Sequence, residues 1–191
     1  MLNARALKIG RLPEGWRVKV NRGTPDISIA DGPAGPAIRL KSRRASFALE
    51  REVDIDLTQF PVLAWSWKVT ELPPGGDFRR SRTDDQAAQV LVAFSDRRIL
   101  TYIWDSTAPK DSIESASMIP LLRIYAVVCR SGPAELNQWL SETRNVAQDY
   151  AAAYGGRPVR VKGVRLQINS QHTGTSAESY FGEVAFRNAA R

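Results

Sequence analysis

The chain has 191 residues, 27 lysines and arginines against 20 aspartates and glutamates, a formal net charge of +7 and a pI near 9.9. A chain of this length can bury a core without disulfide or metal staples; its single Cys129 excludes an intrachain bridge, and one cysteine with one histidine excludes a structural zinc tetrahedron. The charge suits an anionic partner such as nucleic acid, an acidic polysaccharide or phospholipid, yet the basic residues are spread from Arg5 to Arg191 with no basic tract or basic amphipathic helix, so nucleic-acid binding is not expected.

At the N-terminus, Met1 to Leu7 forms no continuous apolar signal region, and no stretch approaches the ~18 apolar residues of a membrane span. Strand patterns then follow at 16–20, 26–30, 37–41, 46–55, 62–70, 86–94, 99–104, 122–129, 159–168 and 180–187. They are separated by turn chemistry such as Asn21-Arg22-Gly23, Asp31-Gly32-Pro33, Ser131-Gly132-Pro133 and Tyr154-Gly155-Gly156. Many short strands so punctuated predict an all-β chain, two antiparallel sheets packed as a jelly-roll, galactose-binding-like sandwich in one domain over 1–191. One helix interrupts them, from Glu142 or Asn145 to Tyr154, with Ala147, Tyr150, Ala151 and Tyr154 three and four apart and Gly155 as its stop. It is expected to cap one end of the sandwich, with Trp139 just before it packing inward. Cys129, in the run Ile124 to Cys129, reads as a small buried hydrophobe.

Alternation assigns faces, because successive side chains on a strand point to opposite sides. Leu63, Trp65, Trp67, Val90, Val92, Phe94, Val164, Leu166 and Ile168 form the expected core, and Tyr180, Val184 and Phe186 are the apolar set of the last strand. The complementary set, Ser66, Lys68, Arg165, Gln167, Asn169, Glu183 and Arg187, can lie together on an outer face that would hold a polar ligand or be solvated. Large aromatics usually fill cores, which suits Trp65 and Trp67; Trp104, at a strand end beside Asp105, is the better candidate for stacking on a sugar.

The long loop from Gly75 holds Asp77, Arg79, Arg80 and Arg82 before Asp84 and Asp85. The adjacent Asp84 and Asp85 would point to opposite sides, which suits structural loop pairing with Arg144 or a loop arginine better than a glycosidase pair, whose carboxyls stand ~5 to ~9.5 Å apart. The three arginines argue against a calcium site around these aspartates. His172, the only histidine, has no Gly-x-Ser-x-Gly nucleophile to serve and reads as a turn residue or a ligand contact. No metal site and no cofactor is expected.

The set Trp65-Ser66-Trp67-Lys68-Val69, Asp84-Asp85-Gln86-Ala87-Ala88, Tyr102-Ile103-Trp104, Glu142-Thr143-Arg144-Asn145-Val146 with Asp149-Tyr150, and Tyr180 to Phe186 resembles a bacterial domain-of-unknown-function family, number 3047. The resemblance spans residues 12 to 187 in order. It implies a β-sandwich similar to galactose-binding-like and carbohydrate-binding domains, relatives that are often exported to the periplasm or beyond, and no established activity. Where the family pattern after the penultimate strand reads Asp-x-Asp-Asn-Thr, this chain has Asn169-Ser170-Gln171-His172-Thr173, so both acidic positions are amides. The leading expectation is a non-catalytic module for a polysaccharide or other envelope glycan. Its ligand contacts would be Lys68, Trp104, Arg165, Gln167, Asn169, His172 and Glu183. The rivals are a glycan-acting hydrolase using Asp84, Asp85, Glu142 or Asp149, and a structural or protein-interaction domain of the envelope.

Overall fold

The structure, a computed structural model, describes residues 2–3, 12–116 and 123–189; most of the Met1 to Leu7 segment and Leu122 lie outside the described residues. Among the described residues twelve strands and one helix follow in chain order: β1 (Trp16–Arg22), β2 (Asp26–Gly32), β3 (Gly35–Arg43), β4 (Ser46–Ile55), β5 (Val62–Glu71), β6 (Ala88–Phe94), β7 (Arg98–Asp105), β8 (Ile113–Ser115), β9 (Arg123–Ser131), β10 (Leu140–Asn145), α1 (Val146–Tyr154), β11 (Val161–Asn169) and β12 (Ser176–Arg187). They form a seven-stranded sheet in the order β1-β4-β11-β6-β7-β9-β8 and a five-stranded sheet in the order β10-β5-β12-β3-β2. The result is a two-sheet β-sandwich of jelly-roll type, and no helix among the described residues is long and apolar enough to cross a membrane.

The core lies between the two sheets because each central strand alternates apolar with polar residues and can bury only one face. All nine residues assigned to it by alternation are buried, and each such side chain contributes roughly 1.5–3 kcal/mol by leaving water. A chain of rings crosses the interior from one sheet to the other: Trp65 meets Trp67 edge-on at 5.4 Å and Tyr102 at 5.2 Å, and Trp67 meets Trp104 at 6.0 Å. These edge-on and tilted contacts avoid the face-to-face sandwich that ring quadrupoles disfavour.

Four expectations need correction. Sheet pairing is not wholly antiparallel, for β7 and β9 run parallel; the connection between them carries the short β8, which returns along the outer edge of β9. Residues 142–145 belong not to the helix but to β10, which pairs with β5. The helix begins after Asn145, whose side chain accepts the Gln148 N–H and caps it. Third, β12 contains a bulge: Phe181 pairs with Trp67 but Val184 with Trp65, three residues against two. The bulge changes the alternation, so Phe181 and Val184 are both buried in the core and Tyr180 faces outward. Finally, Trp139 does not pack inward; it lies half-buried on the outer face of the five-stranded sheet, edge-on to Tyr180 at 6.4 Å with Lys68 Nζ over its ring.

Candidate functional site

The expected polar face divides between the sheets. Arg165, Gln167 and Asn169 are on β11, in the seven-stranded sheet, whereas Ser66 and Lys68 on β5 and Glu183 and Arg187 on β12 belong to the five-stranded one. Outward side chains of the two sheets point to opposite sides of the sandwich, so these residues cannot share a ligand. Trp104 is lost to either face: its ring is fully buried between the sheets and its Nε1 donates to the Gly132 carbonyl at 3.2 Å.

What the structure does assemble is a groove over the outer face of the seven-stranded sheet. Two depressions, of about 100 and 120 Å³, meet at Leu91. The registers explain the composition, since outward residues fall into rows across the strands. One row reads Arg17, Glu50, Arg165, Leu91, Thr101 on β1, β4, β11, β6 and β7; the next reads Lys19, Ala48, Gln167, Gln89, Ile103. The floor is therefore apolar at Leu91, with Thr101 and Arg165 on its two sides and the Gln89 and Gln167 amides in the next row.

One wall of the groove is a second, smaller hydrophobic cluster outside the main core. Phe78 from the loop before β6 and Ala108 from the loop after β7 cover Ile103, Ala126 and Val128. Asp105 holds these loops together, accepting the backbone N–H groups of Phe78, Thr107 and Ala108 at 2.8 to 3.1 Å; burial pushes its carboxyl above the ordinary range. Gly76 is required where the two loops meet, because a Cβ there would stand 2.4 Å from the Asp85 carbonyl oxygen. Asp77 takes a two-pronged ion pair from Arg79 at 2.8 Å, and the Arg79 hydrogen bond holds it below the usual carboxylate range.

At that end Asn169 is the organiser. Its Oδ1 accepts the Gln86 N–H at 2.9 Å and Gln89 Nε2 at 2.7 Å, while its Nδ2 donates to the Asp84 carbonyl at 2.7 Å. His172 Nδ1 approaches the same carbonyl at 2.9 Å, which requires a proton on Nδ1 because a carbonyl only accepts. Asp85 is buried and accepts the Thr173 N–H and Oγ1 at 2.6 and 2.8 Å, tying the loop before β6 to the loop after β11. Asp84 lines the groove, taking Gln86 Nε2 at 3.0 Å; burial raises its carboxyl despite that bond. The expected partner Arg144 is elsewhere, for it forks onto Asp149 in an interior network in which the Tyr102 hydroxyl also donates to Asp149. Glu142, pointing inward from β10, is held by Arg130 Nε at 2.6 Å and Trp67 Nε1 at 3.2 Å.

The residues that alternation missed are Gln89 and Thr101. Both are nearly buried, and Thr101 Oγ1 has no hydrogen-bond partner among the described residues. Their signal was present: each is a polar residue at an outward position of an otherwise apolar strand. Gln167, half-buried in the same row as Gln89, shows no side-chain partner among the described residues either. At the other end Glu50 accepts Arg17 Nε at 2.9 Å and Arg165 Nη2 at 2.7 Å; burial opposes its charge, but the Arg17 and Arg165 interactions outweigh it and the carboxyl lies below its ordinary value.

Glu50 and Asp84 do not form a hydrolytic pair in this groove. Glu50 sits at the level of Arg165 and Asp84 near that of Asn169, four residues further along β11, so roughly 13 Å of strand separates them. That exceeds the ~5 to ~9.5 Å of glycosidase carboxyls. The opposite sheet carries a depression of about 240 Å³ lined by Ser66, Ser141, Thr143, Glu183 and Arg187, with Lys68 beside it under the Trp139 and Tyr180 rings. Among the described residues no three of His, Cys, Asp and Glu converge to hold a metal ion.

Fold and groove together define a jelly-roll β-sandwich whose larger sheet carries a polar cleft. Within that class the chain belongs to the family of proteins of unknown function DUF3047, which matches residues 14–185. No curated protein matches the sequence. Among solved structures it is similar to endoglucanase cel12A from Rhodothermus marinus, with a TM-score of 0.55 and 11% identity over 98% of this chain and 95% of that one. It is also similar to the xyloglucanase domain of NopAA, a type three effector from Sinorhizobium fredii, in complex with cellobiose, at TM-score 0.53 and 9% identity over 92% and 95% of the two chains. At such identities the likeness is one of fold.

Proposed function

We propose that this protein is a non-catalytic binding module for a polysaccharide, an envelope glycan being the ligand class, and that the glycan lies in the groove across the seven-stranded sheet. The observation that carries the reading is the pairing of an apolar floor at Leu91 with polar groups that have no partner among the described residues, the Gln167 amide and the Thr101 hydroxyl. A sugar ring alternates C–H surface with hydroxyls that both donate and accept, and an amide can answer in both directions. A buried hydroxyl without a partner costs roughly 1–3 kcal/mol, a cost that a ligand hydroxyl would relieve. Glycan-active enzymes on the same fold, one holding cellobiose, give further support.

Binding is favoured over hydrolysis because three of the four candidate acids are otherwise engaged, Asp85 by Thr173, Glu142 by Arg130 and Trp67, and Asp149 by Arg144 and Tyr102, while the fourth, Asp84, stands roughly 13 Å of strand from Glu50. The test is a glycan screen on purified protein, followed by calorimetry on Gln167→Ala and Thr101→Val. Each variant should weaken the hit roughly tenfold, the worth of one to two hydrogen bonds; Gln167→Ala should leave the thermal midpoint nearly unchanged, and Thr101→Val, which removes an unpartnered buried hydroxyl, should raise it. Absence of any saccharide ligand at millimolar concentration would favour the protein-interaction reading.

A further inference from the structure

The groove is not electrically uniform. Its far end is lined by Arg17, Arg51 and Arg165 with Glu50 and Glu52, and Lys19 stands two residues beyond Arg17 on the outward side of β1. Arg51, next to Glu50 on β4 and paired with the buried Trp16 and Val164, projects from the other face, so three cationic side chains, Arg17, Arg165 and Lys19, share the groove face with two carboxylates. Arg165 holds Glu50 through Nε and Nη2, and Arg17 holds it through Nε while its Nη1 reaches Glu52 at 3.1 Å. These bonds leave Arg165 Nη1 and Arg17 Nη2 outside them. One carboxylate on β4 therefore fixes two guanidinium groups on the flanking strands, each with donors to spare at the groove. A guanidinium already oriented loses little freedom on meeting a second carboxylate, and its planar fork matches that group.

We infer that the groove selects a carboxylated glycan, one bearing uronic-acid units, whose carboxylate is received by the Arg17–Arg165 pair and by Lys19. This rests on the glycan reading proposed above and adds the ligand's charge. It also fixes a direction: Asp84 adds a carboxyl at the opposite end, so the acidic unit lies at the arginine end and an uncharged ring face lies over Gln89 and Gln167. The net charge of +7 adds long-range attraction for such a chain.

The test uses the full chain and a panel of uronic-acid oligosaccharides, each beside its carboxyl-reduced counterpart, with a single-stranded oligonucleotide as an unrelated polyanion. Titration at low and high salt should find at least one acidic oligosaccharide bound roughly tenfold more tightly than its reduced form, the size of one charge-assisted contact. Salt should weaken the acidic form selectively. Arg165→Gln should remove most of the difference, and Lys19→Gln, which changes an exposed side chain, should remove part of it without affecting folding. Reduced forms that bind as tightly as the acids would overturn the charge inference and leave the glycan reading standing. If neither form binds, both fall. An oligonucleotide that outcompetes every acidic saccharide would replace the inference with nucleic-acid binding.

Discussion

Asp85 is the latch on which the groove's amide end depends. Its Oδ2 accepts two hydrogen bonds from Thr173, and its Oδ1 has no hydrogen-bond partner among the described residues, with His172 Nδ1 3.7 Å away. Truncation to alanine removes two bonds to a charged acceptor, roughly 1.5–3 kcal/mol each, and recovers part of the several kcal/mol that burying a carboxylate costs. The net loss should be about 2–4 kcal/mol. Asp85→Asn keeps an acceptor for the Thr173 N–H without the charge, so about 1–2 kcal/mol is expected. Urea unfolding of wild type and both variants, with the slope checked for constancy, gives the ranking. An alanine variant within ~0.5 kcal/mol of wild type, or an asparagine variant less stable than the alanine one, would refute the latch.

Other consequences are equally concrete. Asp149→Ala leaves the half-buried Arg144 guanidinium and the buried Tyr102 hydroxyl without their acceptor, and chemical denaturation should show a loss of about 3–5 kcal/mol. Trp104→Ala should cost a similar ~3–5 kcal/mol as a core truncation, visible as a fall in thermal midpoint and not as a selective loss of binding. Gly76→Ala should loosen the loop before β6, because the clash is with backbone, and should raise amide exchange at Asp77 and Phe78. Two of the groove carboxyls, Glu50 and Asp84, give opposite pH signs. Glu50 titrates below its unfolded value of about 4.3, so its stabilisation is complete above that pH and is lost as pH falls through the folded value; Glu50→Gln should flatten the acid limb of the thermal-midpoint profile. Asp84 titrates above its unfolded value of about 3.9, so stability is lost as pH rises through the folded value, and Asp84→Asn should melt higher than wild type at neutral pH.

Much of the fold was legible because burial on one face leaves a period of two in the sequence. Leu63, Trp65, Trp67 and Val164, Leu166, Ile168 declare their faces without any knowledge of neighbours. Which strands share a sheet leaves no such mark. Lys68 and Arg165 both read correctly as outward residues, yet strand order puts them on opposite sides of the sandwich. The bulge in β12 was hidden because it shows only against the neighbouring strand: Gly182 lies within it, where a Cβ would stand 2.3 Å from Ser66 Oγ on β5. Trp104 looked terminal in sequence but is roofed by the opposite sheet through Trp67. Most residues that carry the family resemblance are interior: Trp67 with Glu142, and Tyr102 with Asp149 and Arg144, form two interior polar clusters, and Asp84, Asp85 and Gln86 belong to the loop latch. That resemblance therefore reads the architecture more directly than the ligand.

The central claim, that glycan lies on the outer face of the seven-stranded sheet, is tested most directly by the side-chain amide signals of Gln86, Gln89 and Gln167 in nitrogen-edited NMR spectra of the labelled protein. Each amide reports its own hydrogen bonding, and the Trp139 indole N–H reports the opposite face. Titration with a glycan from the screen should shift the Gln167 and Gln89 amides progressively and leave the Trp139 indole in place. Shifts confined to Trp139, with the glutamine amides unmoved at saturation, would put the ligand on the other sheet and contradict the account.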